Sequence, residues 1–423
     1  MPHHAKGGPL KALDLLARLP FPAKDGGAIG VCEPLLHTKR LGVDWVVAAL
    51  YSERHEQDIQ RTRAEFETFV DFSGTPDFSL ATAFANVWDS RPYNLALRFD
   101  RPSFHRMLRA IKTVHPQFDV IQVDWIYMAP YIQTCRDLWP GTPILMRQHN
   151  AEFQIFERLT QNESNPAKKA FLALQSRKMR LYEAKHMNQV DLVVPVTQQD
   201  ADSFVSIGVR TPIVVNPAGA NLDQLDRPVG LTRNRRFLIV GSMNWPPYVQ
   251  SMVWFLEHVW SRFASAHPGF GLDIIGKEPP ASVMAWNGVD GVRVHGYVDD
   301  IMPYMHESMA MVIPLLTGSG MRIKMVEAMA AGLPVITTPI GCEGIPVLDG
   351  EHAVVREDPD SFIQGLDWIS KNPEAVERMV RTARELAVAQ FSWDGIGRRF
   401  VRIYEELSAR RIASIMETLD SQG

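Results

Sequence analysis

At 423 residues, with 46% apolar and 22% charged side chains, the chain has the composition of an ordinary globular protein and the length for two domains. Its net charge of −4 gives no reason to expect a nucleic-acid partner. Cys32, Cys135 and Cys342 are far apart and lack metal-ligand spacing, as reduced cytoplasmic thiols would be; no apolar run reaches transmembrane length, and the first residues lack a signal-peptide pattern.

In chain order, residues 10–19 read as an opening strand with some helical ambiguity. Gly26 and Gly27 follow it and precede the apolar run 28–36, which enters a helix. A Gly pair at the carboxyl end of a strand stands where open parallel sheets bind ligands, although a Gly pair is often only a turn. Residues 45–50 are a strand, 53–77 are polar and helical in places, 102–115 form an amphipathic helix, and 119–124 (DVIQVD) are a strand. Buried strands alternating with helices predict α/β layers around parallel sheets. Residues 143–146 form another strand, ending in RQHNAEFQIFERL, so His149 falls where a strand ends. A lone His is more often a structural hydrogen-bonding group than a catalytic one. Residues 166–189 read as a long polar helix with six cations: Lys168, Lys169, Arg177, Lys178, Arg180 and Lys185. Either its basic face meets an anionic membrane, or, with Glu183 diluting the charge, it is a solvated face. Residues 191–196 form a strand, Thr197 caps the next helix, and 213–215 followed by NPAGANLD close the first half.

Residues 226–236 read as a linker, and 237–240 as the next strand, followed by the turn Gly241-Ser242-Met243 and an aromatic-rich helix. Lys277 follows strand 272–275 and Gly276; it either assists phosphate binding or is an exposed loop lysine. After strand 292–295 come Tyr297 and Val298, and strand 311–314 feeds the stretch TGSGMRIKMVEAMAAGLPVITTP, residues 317–339. Here Gly318, Ser319 and Gly320 bend the chain, residues 321–331 form a helix stopped by Gly332 and Pro334, and 335–338 return as a strand. A Gly-rich turn opening a helix presents unpaired N–H groups and the positive dipole end, which suits phosphate. Arg322 and Lys324 add charge in that turn, and the Glu327 carboxylate suits a pair of sugar hydroxyls. Taken alone, Lys324 and Glu327 read equally well as an i,i+3 ion pair; the full order of glycines, cations and acid favours ligand binding. Glu343 either reaches the ligand or caps a turn, and residues 361–370 and 373–389 are helices before a final one over 391–407.

The 317–339 stretch closely resembles the nucleotide-sugar signature of retaining GT-B glycosyltransferases of family 4, the group 1 type. The resemblance covers nearly the whole chain, best over 237–393 and least over 53–90. It implies two Rossmann-like domains facing each other, residues 1–220 on the acceptor side and 236–392 binding the nucleotide sugar. A linker at 221–235 joins them, and residues 393–423 return to the first domain. By resemblance Glu327 holds the donor ribose, while Ser319 occupies the position of the family's first Glu and leaves the sugar open. Gly318, Gly320 and Met321 complete that loop. Gly26 and Gly27 match the loop facing the donor phosphates, and Gly241 and Ser242 the loop beneath them. The Arg and Lys that often follow the latter are replaced by Asn244 and Trp245, so Arg322 and Lys324 supply that charge. Tyr297 and Val298 match the loop beside the base, and Ala218 stands where an Asn is usual in the domain crossover. His149 to Glu152 resemble a His-Asn-x-Glu block that sets His149 beside the reacting sugar carbon, with Arg147 and Glu152 as further candidates. The implied activity is retaining, metal-independent transfer of a hexosyl or related group from a nucleotide-diphosphate sugar to a hydroxyl of a glycan or lipid-linked glycan. His149, Arg322 and Lys324 would be catalytic, with no cofactor beyond the donor. Polysaccharide biosynthesis in the cytoplasm, at the inner membrane face, is the implied setting. A sugar-nucleotide epimerase and a non-catalytic nucleotide-binding subunit are the alternatives.

Overall fold

The computed structural model describes residues 8–23, 26–51, 56–72, 79–220, 222, 234–243, 246–317 and 321–410. The expected linker therefore falls largely outside the described residues, as do Asn244, Trp245, Gly318, Ser319 and Gly320. The chain divides into two compact units, Met1–Pro217 with Asp394–Gly423, and Ala218–Trp393.

The first unit is built on a six-stranded parallel sheet: β1 (Leu10–Leu16), β2 (Val43–Tyr51), β3 (Glu67–Phe72), β4 (Val120–Asp124), β5 (Ile144–Gln148) and β6 (Leu192–Pro195), in the order β3-β2-β1-β4-β5-β6. Strands β4, β5 and β6 are buried along their whole length. Helices cover both faces of such a sheet, so even Gln122, Asp124, Arg147 and Gln148 on β4 and β5 are buried. β3 is absent from the sequence expectation. It is an edge strand, ETFVDF, with no fully buried position, and its mixed polarity hides it in a stretch expected to be polar and partly helical. Residues 213–215 make only an isolated bridge, between Ile213 and Val193.

The second unit repeats the plan with β7 (Arg236–Val240), β8 (Gly271–Ile275), β9 (Val292–Gly296), β10 (Ala310–Ile313), β11 (Val335–Thr337) and β12 (Val354–Val355), in the order β12-β11-β10-β7-β8-β9. Both sheets reverse direction of growth at one place, between β1 and β4 in the first unit and between β7 and β10 in the second. At such a reversal the loops leaving the two strands diverge and open a crevice at the carboxyl edge, where ligands bind.

The final helix, Trp393–Ser408, belongs with the first unit from Asp394 on. Gly397 lets it approach closely, since a Cβ there would meet His37 Cβ at 3.0 Å. The Tyr404 hydroxyl donates to Gln122 Oε1 on β4 at 2.8 Å, and His37 Nδ1 lies 2.8 Å from Asp394 Oδ1. Beneath this helix is a buried polar group: Asp14 on β1 accepts from Gln122 Nε2 at 3.0 Å, and Arg147 on β5 lies with its guanidinium over the Phe400 ring, 4.9 Å from its centre. Burial, reinforced by the neighbouring Asp124 charge, pushes the Asp14 carboxyl well above the usual carboxylate range.

A raised acid favours folding while protonated, so this contribution is full below the unfolded-state pKa and is lost as pH rises through the elevated folded value. Asp14→Asn, which resembles the protonated acid, is expected to lose less melting temperature than the unmodified protein across that rise. Thermal melts over a pH series check this; a constant difference between the two proteins would refute it.

Candidate functional site

In the second unit, residues 241–243 after β7 and 321–322 before the next helix follow the two strands between which the sheet order reverses. The helix after β10 is Ile323–Ala330, shorter by two residues at its start than expected, so Arg322 is its N-cap in extended conformation and Met321 precedes it. The Arg322 side chain does not cap this end, and the Met325 N–H donates to the Arg322 carbonyl at 2.9 Å; the amides of such a helix start suit an anionic ligand. Lys324 Nζ donates to Glu327 Oε2 at 2.6 Å. The two residues thus form the i,i+3 ion pair that their spacing allows. Lys324 is 38% exposed and Glu327 17%, so both remain within reach of a ligand that would exchange partners with them.

The other wall begins at Gly241, where a Cβ would stand 2.0 Å from the Tyr248 ring. Glycine is required there by packing, because Tyr248 folds back and donates to the Val240 carbonyl at 2.7 Å. Burial raises the Tyr248 hydroxyl, and the Arg322 charge opposes that rise, which places Arg322 near this wall. Ser251, on the helix Pro246–Phe255, accepts from the Leu316 N–H at 3.0 Å and so ties the two walls together. Ser242 is half-buried beside them.

Next along the edge, Gly276 packs against the Gly241 carbonyl so closely that a Cβ would stand 1.9 Å away, and the Met243 N–H donates to the Lys277 carbonyl at 3.3 Å. The Lys277 side chain is exposed and 3.4 Å from Glu278, in agreement with the exposed-lysine alternative. The Gly276 N–H donates to Gly296 at 2.8 Å, which brings the β9 loop to the same edge. There Tyr297 is half exposed, while Val298 packs against the core. The Gly-rich turn 318–320 itself lies outside the described residues.

The first unit carries a second constellation at its own reversal. Asp124 ends β4 and His149 follows β5; His149 Nε2 lies 2.5 Å from Asp124 Oδ1. The imidazole N–H donates to the carboxylate, which fixes ring orientation and tautomer. Gly26 and Gly27 are the first two residues of the helix Gly26–Arg40 rather than members of a preceding turn, because the helical hydrogen-bond pattern already includes them. The next glycine in that helix makes the contact: a Cβ at Gly30 would be 3.2 Å from His149 Nδ1.

Trp125, between the two strands' ends, holds φ at +80°, a conformation rare for a bulky residue. Its N–H donates to the Arg147 carbonyl at 2.9 Å and its indole Nε1 to Glu152 Oε1 at 2.9 Å; the Tyr127 hydroxyl donates to Glu152 Oε2 at 2.9 Å. Burial raises Glu152, and the bonds from Tyr127 and Trp125 counter it. Glu152 thus braces the two aromatic residues beside His149, whose ring centre is 5.4 Å from that of Trp125. Arg147 points away from this edge into the interior, fully buried and 3.8 Å from Asp124 Oδ2, so it supports Asp124 from behind. Sequence reasoning passed over Asp124, Trp125 and Gly30, although the last residue of DVIQVD stands at a strand's carboxyl end and could have been weighed as His149 was.

Residues 234–372 match the model of the family described as Glycosyl transferases group 1. The second unit is a group 1 glycosyl transferase domain. The group 1 match ends within the helix Pro359–Lys371 and its cap, and contains every site residue named above for that unit. Over the whole chain the architecture is that of sucrose-phosphate synthase from Thermosynechococcus elongatus, with a TM-score of 0.70 at 17% identity over 95% of this chain and all of that one. Anabaena Alr3699/HepE, solved in complex with UDP, gives 0.67 at 13% identity over 93% and 99%. The fold is therefore GT-B. A Klebsiella pneumoniae protein described as an uncharacterized 44.6 kDa protein in the cps region is 24% identical over 251 residues, 56% of this chain and 62% of that relative. Among the described residues, no group of three or more His, Cys, Asp or Glu side chains is arranged to hold a metal ion.

Proposed function

We propose that the chain is a retaining glycosyltransferase that moves a hexosyl or related sugar from a nucleotide-diphosphate donor to a hydroxyl acceptor without a catalytic metal. The observation that carries this reading is the β7/β10 crevice of the group 1 domain. There a helix start without a side-chain cap, two cations and Glu327 stand together at the carboxyl edge. The amides, Arg322 and Lys324 would stabilise the departing diphosphate, and Glu327 would take the ribose hydroxyls. Tyr297, half exposed after β9, would contact the base. The Anabaena protein's structure with UDP supports a nucleotide sugar as donor.

The acceptor would approach His149 and Asp124 on the first unit. A glycan or lipid-linked glycan in polysaccharide assembly, on the cytoplasmic side of a membrane, is the acceptor we favour, in keeping with the Klebsiella relative's cps region.

A ligand that binds only the folded chain raises its melting temperature. Screening UDP-, GDP- and ADP-sugars is expected to give a shift with one nucleotide class. Donor incubated with acceptor candidates should then yield a new glycoside, and donor alone should yield no epimer. Absence of any shift, or epimerised donor without acceptor, would overturn the reading.

A further inference from the structure

The helix Leu80–Asn86 and the turn after it, in the first unit, are inverted in polarity. The outward residues are Ala81, Phe84, Ala85, Val87 and Trp88, with Phe84 67% and Trp88 73% exposed and their rings 4.9 Å apart. Its buried residues are small or polar, Ala83 and Asn86; Asn86 accepts at Oδ1 from Gln175 Nε2 at 3.1 Å and from Lys178 Nζ at 3.3 Å, and donates to the Arg91 carbonyl at 3.0 Å. Tyr93 extends the attachment, its N–H donating to Gln175 Oε1 at 2.8 Å and its ring meeting Phe171. The segment is therefore seated on the helix Pro166–Met187 by its polar side, leaving its aromatic side in solvent. A contiguous exposed apolar patch of this kind marks an interaction surface.

The supporting helix supplies the charge. The residues that hold the segment, Phe171, Gln175 and Lys178, run along one line of it. At 100° per residue, the adjoining line is Ala170, Ala173, Arg177, Leu181 and Lys185, all exposed and spaced by three or four. This line is apolar apart from its two cations. Glu183, the helix's single carboxylate, does not dilute it. It is fully buried and accepts from the N–H groups of Glu152 and Phe153 at 3.0 and 3.1 Å, capping the helix that follows His149. Glu183, expected from the sequence to dilute the charge of this helix, faces the interior instead. Asp89, in the turn beside Trp88, is paired with Arg91 at 2.8 Å.

We propose that Phe84, Val87 and Trp88, with Arg177, Leu181 and Lys185, form a docking surface for a bilayer rich in anionic lipid. Aromatic rings favour the interface between headgroups and acyl chains, and flanking cations add attraction to anionic headgroups. No helix among the described residues is long and apolar enough to cross a membrane, so the contact is peripheral. The proposal deepens the lipid-linked acceptor reading, yet lipid binding is measurable without transfer.

The test is sedimentation of the full chain with vesicles of phosphatidylcholine alone, or mixed equally with phosphatidylglycerol. Binding is expected to the mixed vesicles only. Phe84→Ser with Trp88→Ser should weaken it about tenfold or more, and Arg177→Gln with Lys185→Gln should remove the preference for anionic lipid. These side chains are exposed, so circular dichroism and the donor-induced melting shift should be unchanged. Loss of the donor shift would instead concern the transferase reading. The proposal is overturned if the unmodified protein stays in the supernatant or if both double variants bind as it does. It is equally overturned if Phe84→Ser with Trp88→Ser merely converts a dimer to a monomer, which would make a second copy the occupant.

Discussion

Glu327→Ala is expected to weaken nucleotide-sugar binding roughly 10- to 100-fold, the loss of about 1.5–3 kcal/mol for hydrogen bonds to a charged group. Stability should change far less. The Lys324–Glu327 pair is partly exposed, and such pairs are worth at most about 1 kcal/mol. A small change in melting temperature with a large change in affinity would thus separate the binding role from the ion-pair role. Arg322→Ala with Lys324→Ala should act differently. If these cations meet charge that grows as the diphosphate leaves, turnover should fall by about 100-fold or more, as on removing an oxyanion donor. Steady-state kinetics with the donor identified by the melting screen, together with isothermal titration of the nucleotide, measures both effects. Unchanged turnover and unchanged affinity in both variants would remove the assignment.

His149→Ala is expected to lower turnover by about 100-fold or more while changing donor affinity much less, in the range of a positioned polar group at a reacting centre. Asp124→Asn should reproduce part of that loss by releasing the imidazole from its 2.5 Å contact. Because the two side chains act as one unit, adding Asp124→Asn to His149→Ala should cost little more than His149→Ala alone. Additive losses would mean that Asp124 acts separately. A fall in affinity alone would assign His149 to donor binding.

Most of the fold was legible because strand and helix are written in short-range patterns. Short segments that open on apolar residues, such as VIQVD and ILMRQ, announce parallel strands, and the intervening helices announce crossovers. The loop at 241–243 was legible for the same reason: a glycine stands immediately after a strand. β3 escaped because an edge strand keeps polar residues on both sides and loses its periodic signature.

The residues alone were enough to establish α/β layers, the position of residues 241–243 after a strand, and the grouping of Arg322, Lys324 and Glu327 within two helical turns. Folding was needed to establish which distant groups meet. Parallel register sets Asp124 opposite Arg147, and His149 then follows two residues after Arg147 within reach of the Asp124 carboxylate; Gly30 closes on that imidazole from another helix. It also turned Glu183 inward and Phe84 and Trp88 outward. Local periodicity reports a side chain's neighbours within a few residues, whereas partners brought from other strands and helices depend on register and packing that no short window contains.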